Sequence, residues 1–263
     1  MTRPRERVLV SAHRAGAGLR VDLENSSTAF AAALALDVDF VEFDVQRCAD
    51  GVLVVAHDPT FVRDGDEVAF TDVTAAEARE HSPGLLTYDD ALGLLAGRRS
   101  AHIDLKASAA RPEQAVAATA LAVERLGPDG FVVTTGSDRA VRAIRDWGDS
   151  QGLTLLVGLS LGRNTRGLAV RERVRIRRSE LLPGRRLRLS RASVVVAHHW
   201  LARLGVARFA RRRGIPLLVW TVDTPRALGH WLRPGRAWLV TTNHPELALA
   251  IRADATYRRS SSR

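Results

Sequence analysis

A chain of 263 residues with 46% hydrophobic and 26% charged residues has the size and composition of a single globular domain. Its one cysteine, Cys48, excludes an internal disulfide and a cysteine-based zinc site. The formal net charge is +10, but residues 163–191 alone carry eleven arginines against two glutamates, so the excess positive charge is local. No apolar run is long enough for a signal peptide or a membrane span, and we expect a cytoplasmic protein, at most peripheral to a membrane.

In chain order, eight short apolar runs alternate with longer helical patterns. This alternation predicts a parallel α/β architecture, which at this length closes most simply as a (β/α)8 TIM barrel; a doubly wound open sheet is the structural alternative. The predicted strands are 7–12, 39–44, 101–105, 131–134, 154–158, 193–197, 216–221 and 237–241. The predicted helices are 26–36, 74–80, 88–97, 112–126, 138–148, 200–213, 224–232 and 245–253.

Two features interrupt the alternation. An extra apolar strand at 52–56 follows the turn signal Asp50-Gly51, which predicts a hairpin extension after strand two that returns His57 to the end of that strand. An arginine-rich insertion, 163–191, follows strand five, and its pattern does not decide between helix and strand. We expect one domain over 1–263, with a core at 8–253 and a disordered tail at 254–263.

The C-terminal ends of the strands carry polar residues, and catalytic groups of α/β barrels lie there. Three carboxylates converging in a barrel mouth would repel one another unless a cation lay between them, and hard oxygen ligands favour Mg²⁺ or Ca²⁺ over zinc. Two histidines at neighbouring strand ends suit acid–base chemistry near neutral pH. These residues are His13 and Arg14 on strand one, Glu42 and Asp44 on strand two, His57 on its returning arm, Asp104 and Lys106 on strand three, and Trp220 on strand seven.

The run VSAHRAGAG, followed by LENSSTAFAAALALDVDFVEFDVQRCADGVLVVAHD, resembles the first half of the glycerophosphodiester phosphodiesterase family. That family has His-Arg-Gly, Glu-Asn-Thr, Glu-x-Asp, Asp-Gly and His-Asp in this order. The later segments HIDLK, LLVWTVDT and LVTTNHPEL resemble its third metal segment and its closing segments. The resemblance covers roughly 8–110 and 193–250.

The resemblance implies a TIM-barrel enzyme that hydrolyses glycerophosphodiesters to an alcohol and glycerol 3-phosphate with one divalent cation. Which histidine is the acid and which the base stays open. Carried over position by position, the resemblance implies that His13 and His57 are the acid–base pair and that Glu42, Asp44 and Asp104 hold the metal. It also implies that Arg14 and Lys106 contact the phosphate and that Trp220 lines the substrate pocket. By the same resemblance, Glu24 and Asn25 support Arg14.

Three positions depart from the family pattern. Ala15 replaces the Gly of His-Arg-Gly, so the loop is expected to shift slightly. Asp104 stands where the family usually has Glu, as in the spider-toxin branch of phospholipase D on the same barrel. Asn243 replaces an Asp that is not a metal ligand in the family.

Two other functions stay open on the sequence. A phospholipase D-like enzyme acting on lysophospholipids or sphingomyelin is favoured by Asp104 and the basic insertion. A non-catalytic barrel could bind an acidic partner through 163–191, and the same segment could contact an anionic membrane. Nucleic acid is disfavoured as a partner, because aromatic residues are nearly absent from the basic run.

Overall fold

The computed structural model describes residues 7–18, 20–82, 84–162 and 165–260, with side chains as far as Asp254 in the last range. Eight of its strands are parallel neighbours in one sheet, and the first of them pairs with both the last and the second. The sheet therefore closes into a barrel, which confirms the predicted (β/α)8 fold and excludes the open sheet. The strands are β1 (Leu9–Ala12), β2 (Phe40–Arg47), β3 (Leu53–Val55), β4 (Thr60–Arg63), β5 (Asp66–Ala69), β6 (Ser100–Leu105), β7 (Phe131–Thr135), β8 (Val157–Leu161), β9 (Val194–His198), β10 (Leu217–Trp220) and β11 (Leu239–Thr242).

The helices pack around this barrel. The predicted helix at 200–213 is interrupted, because a π-helical stretch, Ala202–Val206, contains Gly205 at φ 143°. The helices are α1 (Ser27–Ala35), α2 (Ala75–His81), α3 (Tyr88–Leu95), α4 (Pro112–Leu126), α5 (Asp138–Ser150), α6 (Val170–Leu181), α7 (Gly184–Ser190), α8 (His199–Leu201), α9 (Ala207–Arg213), α10 (Pro225–Trp231) and α11 (Pro245–Ser260). No described helix is both long and apolar enough to cross a membrane.

The hairpin after β2 is present. β3 runs antiparallel to β2, with Val45 opposite Val55, so the chain returns to the end of the strand it has just left. A second hairpin, β4 with β5, forms a separate two-stranded sheet that the sequence did not indicate. Its strands, TFVR and DEVA, have only four residues each and lack the period-two alternation that indicates a strand.

Side chains alternate along the barrel strands between the barrel interior and the helical layer. On β2, Phe40 belongs to the interior cluster, while Val41 and Phe43 pack in the main cluster between strands and helices. Because the side-chain period of a strand is two, Glu42 and Asp44 share the interior face with Phe40. The predicted common orientation of these two carboxylates is therefore confirmed.

The structure differs from the sequence expectations at three places. The fifth barrel strand, β8, begins at Val157 rather than 154, because its pairing with β9 sets Gly158 beside Val194. The arginine-rich insertion does follow this strand, and its described part forms α6 and α7; residues 163 and 164 lie outside the described residues. The last helix reaches Ser260, so 254–260 of the tail expected to be disordered is helical, while 261–263 lie outside the described residues.

Candidate active site

The turn after β1 carries three consecutive residues in the left-handed region. Arg14 has φ 48°, Ala15 φ 60° and Gly16 φ 77°. Left-handed backbone is unfavourable for residues with a side chain, and such strain is concentrated at functional sites. Here the turn directs the backbone N–H of Arg14 to Glu42 Oε2 at 2.6 Å. Ala15 thus occupies a conformation that glycine would adopt more easily, with its side chain fully buried.

Glu24 and Asn25 hold this turn and strand β2 together. Arg14 Nη1 donates to Glu24 Oε2 at 2.5 Å. Asn25, itself left-handed at φ 60°, donates from Nδ2 to Asp44 Oδ2 at 3.1 Å, and its backbone N–H donates to the carbonyl of Arg14 at 3.1 Å. Both residues therefore lie where the resemblance placed them, behind the turn, and bind groups that face the barrel mouth.

Lys106 lies between two of the carboxylates. Its Nζ is 2.6 Å from Asp44 Oδ1 and 2.7 Å from Asp104 Oδ2. The other oxygen of Asp104 accepts from Thr134 Oγ1 at 2.8 Å. The ammonium is a compact charge that fits between two acids from neighbouring strands, where a planar guanidinium is wider. The chain's single lysine thus has a specific structural place.

The pKa values of Glu42 and Asp44 are shifted in opposite directions. Burial, and then the negative charge of Asp44, raise the pKa of Glu42 well above its ordinary value. Burial is the largest single influence on Asp44 and opposes its ionisation, but Lys106 and the neighbouring histidines together lower the pKa of that carboxyl. Burial would lower the pKa of Lys106, yet Asp104 and Asp44 raise it, so the ammonium stays charged. Glu42 is the acid without a full countercharge.

The same three acids are the candidate ligands of a metal ion. Among the described residues, no three His, Cys, Asp or Glu side chains converge as a ready ion cage, because Lys106 bridges Asp44 and Asp104. The chemistry of the donor set nevertheless fits a hard cation. Glu42 is buried with a raised pKa, and a divalent ion beside it would restore the charge balance that one lysine leaves incomplete.

His13 is held in place by a chain of hydrogen bonds from the loops that follow β10 and β11. Its Nδ1 lies 2.7 Å from Asn243 Oδ1, and Asn243 Nδ2 donates to Asp223 Oδ2 at 2.9 Å. Because the amide N–H group is used by Asp223, the amide oxygen faces the histidine and Nδ1 carries the proton. Burial lowers the pKa of His13. The neutral ring therefore keeps its Nε2 lone pair, 3.9 Å from Glu42 Oε2.

His57 has a different environment. The hairpin returns it to the mouth of the barrel, where Gln46 Nε2 on β2 donates to its backbone carbonyl at 3.0 Å. Its side chain is partly exposed, and Nδ1 lies 2.8 Å from Asp58 Oδ1. Burial lowers the pKa of the His13 ring, whereas the His57 ring is partly exposed beside a carboxylate. The two histidines are thus distinguished by their surroundings.

A single cavity of about 850 Å³ brings most of the predicted residues together. Glu24 and Asn25 lie behind it and do not line it. Its opposite wall comes from segments that the sequence did not assign to the site, including Asp138 on α5, Glu180 on α6 and Arg186 on α7. The predicted residues that line it are His13, Arg14, Glu42, Asp44, His57, Asp104, Lys106 and Trp220.

Sequence reasoning missed some residues of the site. His102 lies below Asp104 on the interior face of β6, and burial lowers its pKa to about 4. Its position two residues before Asp104 was the signal that could have identified it. Asn243 was treated as a departure of little consequence, yet it binds His13. No sequence signal connects Asn243 to Asp223, because their contact depends on how β11 and the loop after β10 meet.

Part of the chain matches the model of a known protein family. Residues 13–135 match the model of the glycerophosphoryl diester phosphodiesterase family, which confirms the predicted resemblance for that stretch. A comparison with curated protein sequences finds no significant match. The matched family is one of phosphoric diester hydrolases, and this agrees with the predicted enzyme class.

Solved structures share the fold. A glycerophosphoryl diester phosphodiesterase from Silicibacter pomeroyi DSS-3 is 22% identical, with 95% of this chain and 94% of that chain covered and a TM-score of 0.76. One from Thermotoga maritima is 22% identical, with 93% and 98% covered and a TM-score of 0.66. A phosphodiesterase from Oleispira antarctica, in complex with the product sn-glycerol-3-phosphate, is 15% identical, with 93% and 96% covered and a TM-score of 0.71.

Proposed function

We propose that this chain, whose residues 13–135 match a family of glycerophosphodiester hydrolases, hydrolyses glycerophosphodiesters to an alcohol and glycerol 3-phosphate. The observation that carries the proposal is the meeting of two histidines, three carboxylates and one lysine in a single cavity at the barrel mouth. These groups come from three neighbouring strands and one returning hairpin. Their types match what a phosphodiester requires, which is charge neutralisation together with proton transfer.

The cation in this proposal is one Mg²⁺ or Ca²⁺ held by Glu42, Asp44 and Asp104. When bound, it would neutralise part of the negative charge that builds up on the phosphate in the transition state. Arg14 and Lys106 contribute positive charge from the same cavity and hold the phosphate. Lys106 also lies between Asp44 and Asp104, so its ammonium group both positions these two acids and binds the substrate phosphate.

The histidines divide the proton transfers. His13 presents a neutral Nε2, because Asn243 holds the proton on Nδ1, and it is the base that removes a proton from the attacking hydroxyl or water. His57, beside Asp58, is the acid that protonates the leaving alcohol. Trp220 packs at the other side of the cavity, with a buried indole N–H that has no hydrogen-bond partner among the described residues and is available to a substrate oxygen.

A product assay tests the proposal. The purified chain is incubated with glycerophosphocholine, glycerophosphoethanolamine and glycerophosphoglycerol, and sn-glycerol 3-phosphate is measured in metal-free buffer, with Mg²⁺, with Ca²⁺ and with excess chelator. We expect the product only when a divalent ion is present. Undiminished turnover in excess chelator would remove the metal from the proposal, and no turnover of any diester with either ion would remove the activity.

A phospholipase D-like activity is the second candidate, favoured by Asp104 in place of the family's Glu and by the arginine-rich α6 and α7 beside the cavity. Its substrates would be lysophospholipids or sphingomyelin rather than deacylated diesters. Lysophosphatidylcholine in the same assay separates the two. Choline release from the lysolipid at more than the rate seen with glycerophosphocholine would favour the second candidate.

A further inference from the structure

Positive charge is concentrated in one sector of the barrel. Residues 161–222, which run from the end of β8 through β10, contain 16 arginines and two glutamates, a net charge of +14. Since the whole chain carries +10, the remainder has a net charge of −4. Only one of the two glutamates reduces the positive charge on the outer surface. Glu180 is buried with Arg177, and Glu172 lies 3.8 Å from Arg175.

Helix α6 in this sector turns three of its four apolar residues outward. Val170 and Val174 are 64% and 61% exposed, and Leu181 is exposed on the same face. Their spacing of four and seven residues places them in one stripe along the helix. The opposite face lines the active-site cavity with Ile176, Ser179 and Glu180. An ordinary surface helix, such as α5, instead buries its apolar residues against the barrel.

Arginines flank the outward stripe. Arg171, Arg175 and Arg178 are exposed along one side of it, and Arg173 along the other. Leu182, 68% exposed, extends the stripe beyond the helix end. Leu204 is also exposed, on the π-helical stretch that packs against α6. The surface is therefore apolar along its centre and basic along its edges, which is the arrangement of a helix that lies in a membrane interface.

We propose that this surface, defined as the outward face of α6 with Leu182 and Leu204, binds an anionic phospholipid bilayer. The valines and leucines enter the acyl boundary, and the flanking arginines contact lipid phosphates, where each basic side chain contributes about 1 kcal/mol. The charge favours a bilayer over a second copy of the chain, because two sectors of net +14 would repel each other. The binding does not depend on the hydrolysis proposed above, although α6 also forms a wall of the cavity.

The inference is tested by vesicle sedimentation with the full chain. Vesicles of phosphatidylcholine containing phosphatidylglycerol are compared with phosphatidylcholine alone, at low and high salt. Two variants carry the test: Val174→Asn, which removes part of the stripe, and a triple variant with Arg171, Arg175 and Arg178 each replaced by Gln. The matched controls are Val62→Asn, at a valine that is 64% exposed on β4, and Arg98→Gln, at an exposed arginine near α3.

We expect the wild type to bind anionic vesicles at low salt and to be released at high salt. The triple variant should bind roughly 100-fold more weakly, and Val174→Asn about fivefold more weakly, with both controls unchanged. Turnover of soluble glycerophosphocholine should stay within about twofold in all variants, because none of these residues contacts the cavity, so loss of vesicle binding and loss of hydrolysis are read separately.

Three results would overturn the inference. The first is a wild type that ignores anionic vesicles at low salt. The second is a loss of binding in the arginine variant with Val174→Asn unaffected, because the surface would then be a solvated basic patch. The third is a concentration-dependent dimer that Val174→Asn dissociates in the absence of vesicles, because the stripe would then be covered by a second copy.

Discussion

The two sides of the barrel mouth are built by different rules. On the side of β1, β2 and β6, charged groups are buried or half-buried and paired at 2.6 to 2.7 Å, as in the contacts of Lys106 with Asp44 and Asp104. On the side of β8 to β10, the charge is almost all arginine and much of it is exposed. Chemistry needs fixed distances, so the first side leaves ordered motifs in the sequence. Binding of an anionic surface needs only exposed positive charge, so the second side is visible in the sequence as a high arginine content and not as an ordered motif.

The largest effect should follow removal of an acid from the first side. Glu42→Gln or Asp44→Asn should lower kcat/KM by on the order of 1,000-fold or more, because the charge stabilisation supplied through these ligands is worth several kcal/mol. Initial rates with glycerophosphocholine at saturating Mg²⁺ measure it. Asp66→Asn, at an exposed acid of β5, is the matched control and should be near wild type. A Glu42→Gln variant with near wild-type activity would show that the carboxylate charge on the β1, β2 and β6 side is not needed for catalysis.

The histidines come next. His13→Ala and His57→Ala should each lower kcat by about 10²- to 10⁴-fold, with the fold intact by circular dichroism. Because they act in one reaction, the double variant should lose far less than the product of the two single losses. His81→Ala, on α2 outside the cavity, is the control. Near wild-type turnover in either single variant would remove that histidine from the chemistry.

Much of this first side could be predicted from the sequence. Strand alternation predicted the barrel, and the turn signal at Asp50-Gly51 predicted the hairpin that returns His57. The pairing of Lys106 with two acids could not be predicted, because it depends on how β2 and β6 align: Asp44 faces Asp104 in that register. The hydrogen bonds that join Asp223, Asn243 and His13 could not be predicted either, because they depend on how separate strands align. The helix α6 could not be predicted, because three of its four apolar residues face outward, whereas a surface helix usually buries its apolar residues.

Lys106 is the single lysine of the chain, and all its other Lys or Arg positions are arginine. Replacing Lys106 therefore tests whether lysine and arginine are interchangeable at this site. Lys106→Arg should be nearly as damaging as Lys106→Ala, with kcat/KM lowered by about 100-fold, because a guanidinium is too wide to sit between Asp44 and Asp104. The comparison of the two variants under identical metal concentrations is the measurement. A fully active arginine variant would mean that charge alone matters at this position.

Asn243 should give the smallest effect on the first side. Asn243→Leu removes the acceptor for His13 Nδ1 and should lower kcat by roughly 10- to 100-fold, since such supporting hydrogen bonds have effects of that size. Asn243→Asp should keep most of the activity. Its carboxylate favours the protonated ring and raises the pKa of His13, so the acidic limb of the pH–rate profile should move to higher pH. An unshifted profile would separate Asn243 from the base.

Incorporation of an oxygen isotope from water tests whether this cavity hydrolyses a glycerophosphodiester at phosphorus. Glycerophosphocholine is turned over with Mg²⁺ in water enriched in ¹⁸O, and the products are followed by ³¹P NMR and mass spectrometry. We expect sn-glycerol 3-phosphate with ¹⁸O in its phosphate and unlabelled choline, with both products formed about 10²- to 10⁴-fold more slowly by His13→Ala. Label in the choline, or a cyclic phosphate as the end product without label, would contradict hydrolysis at phosphorus by this site.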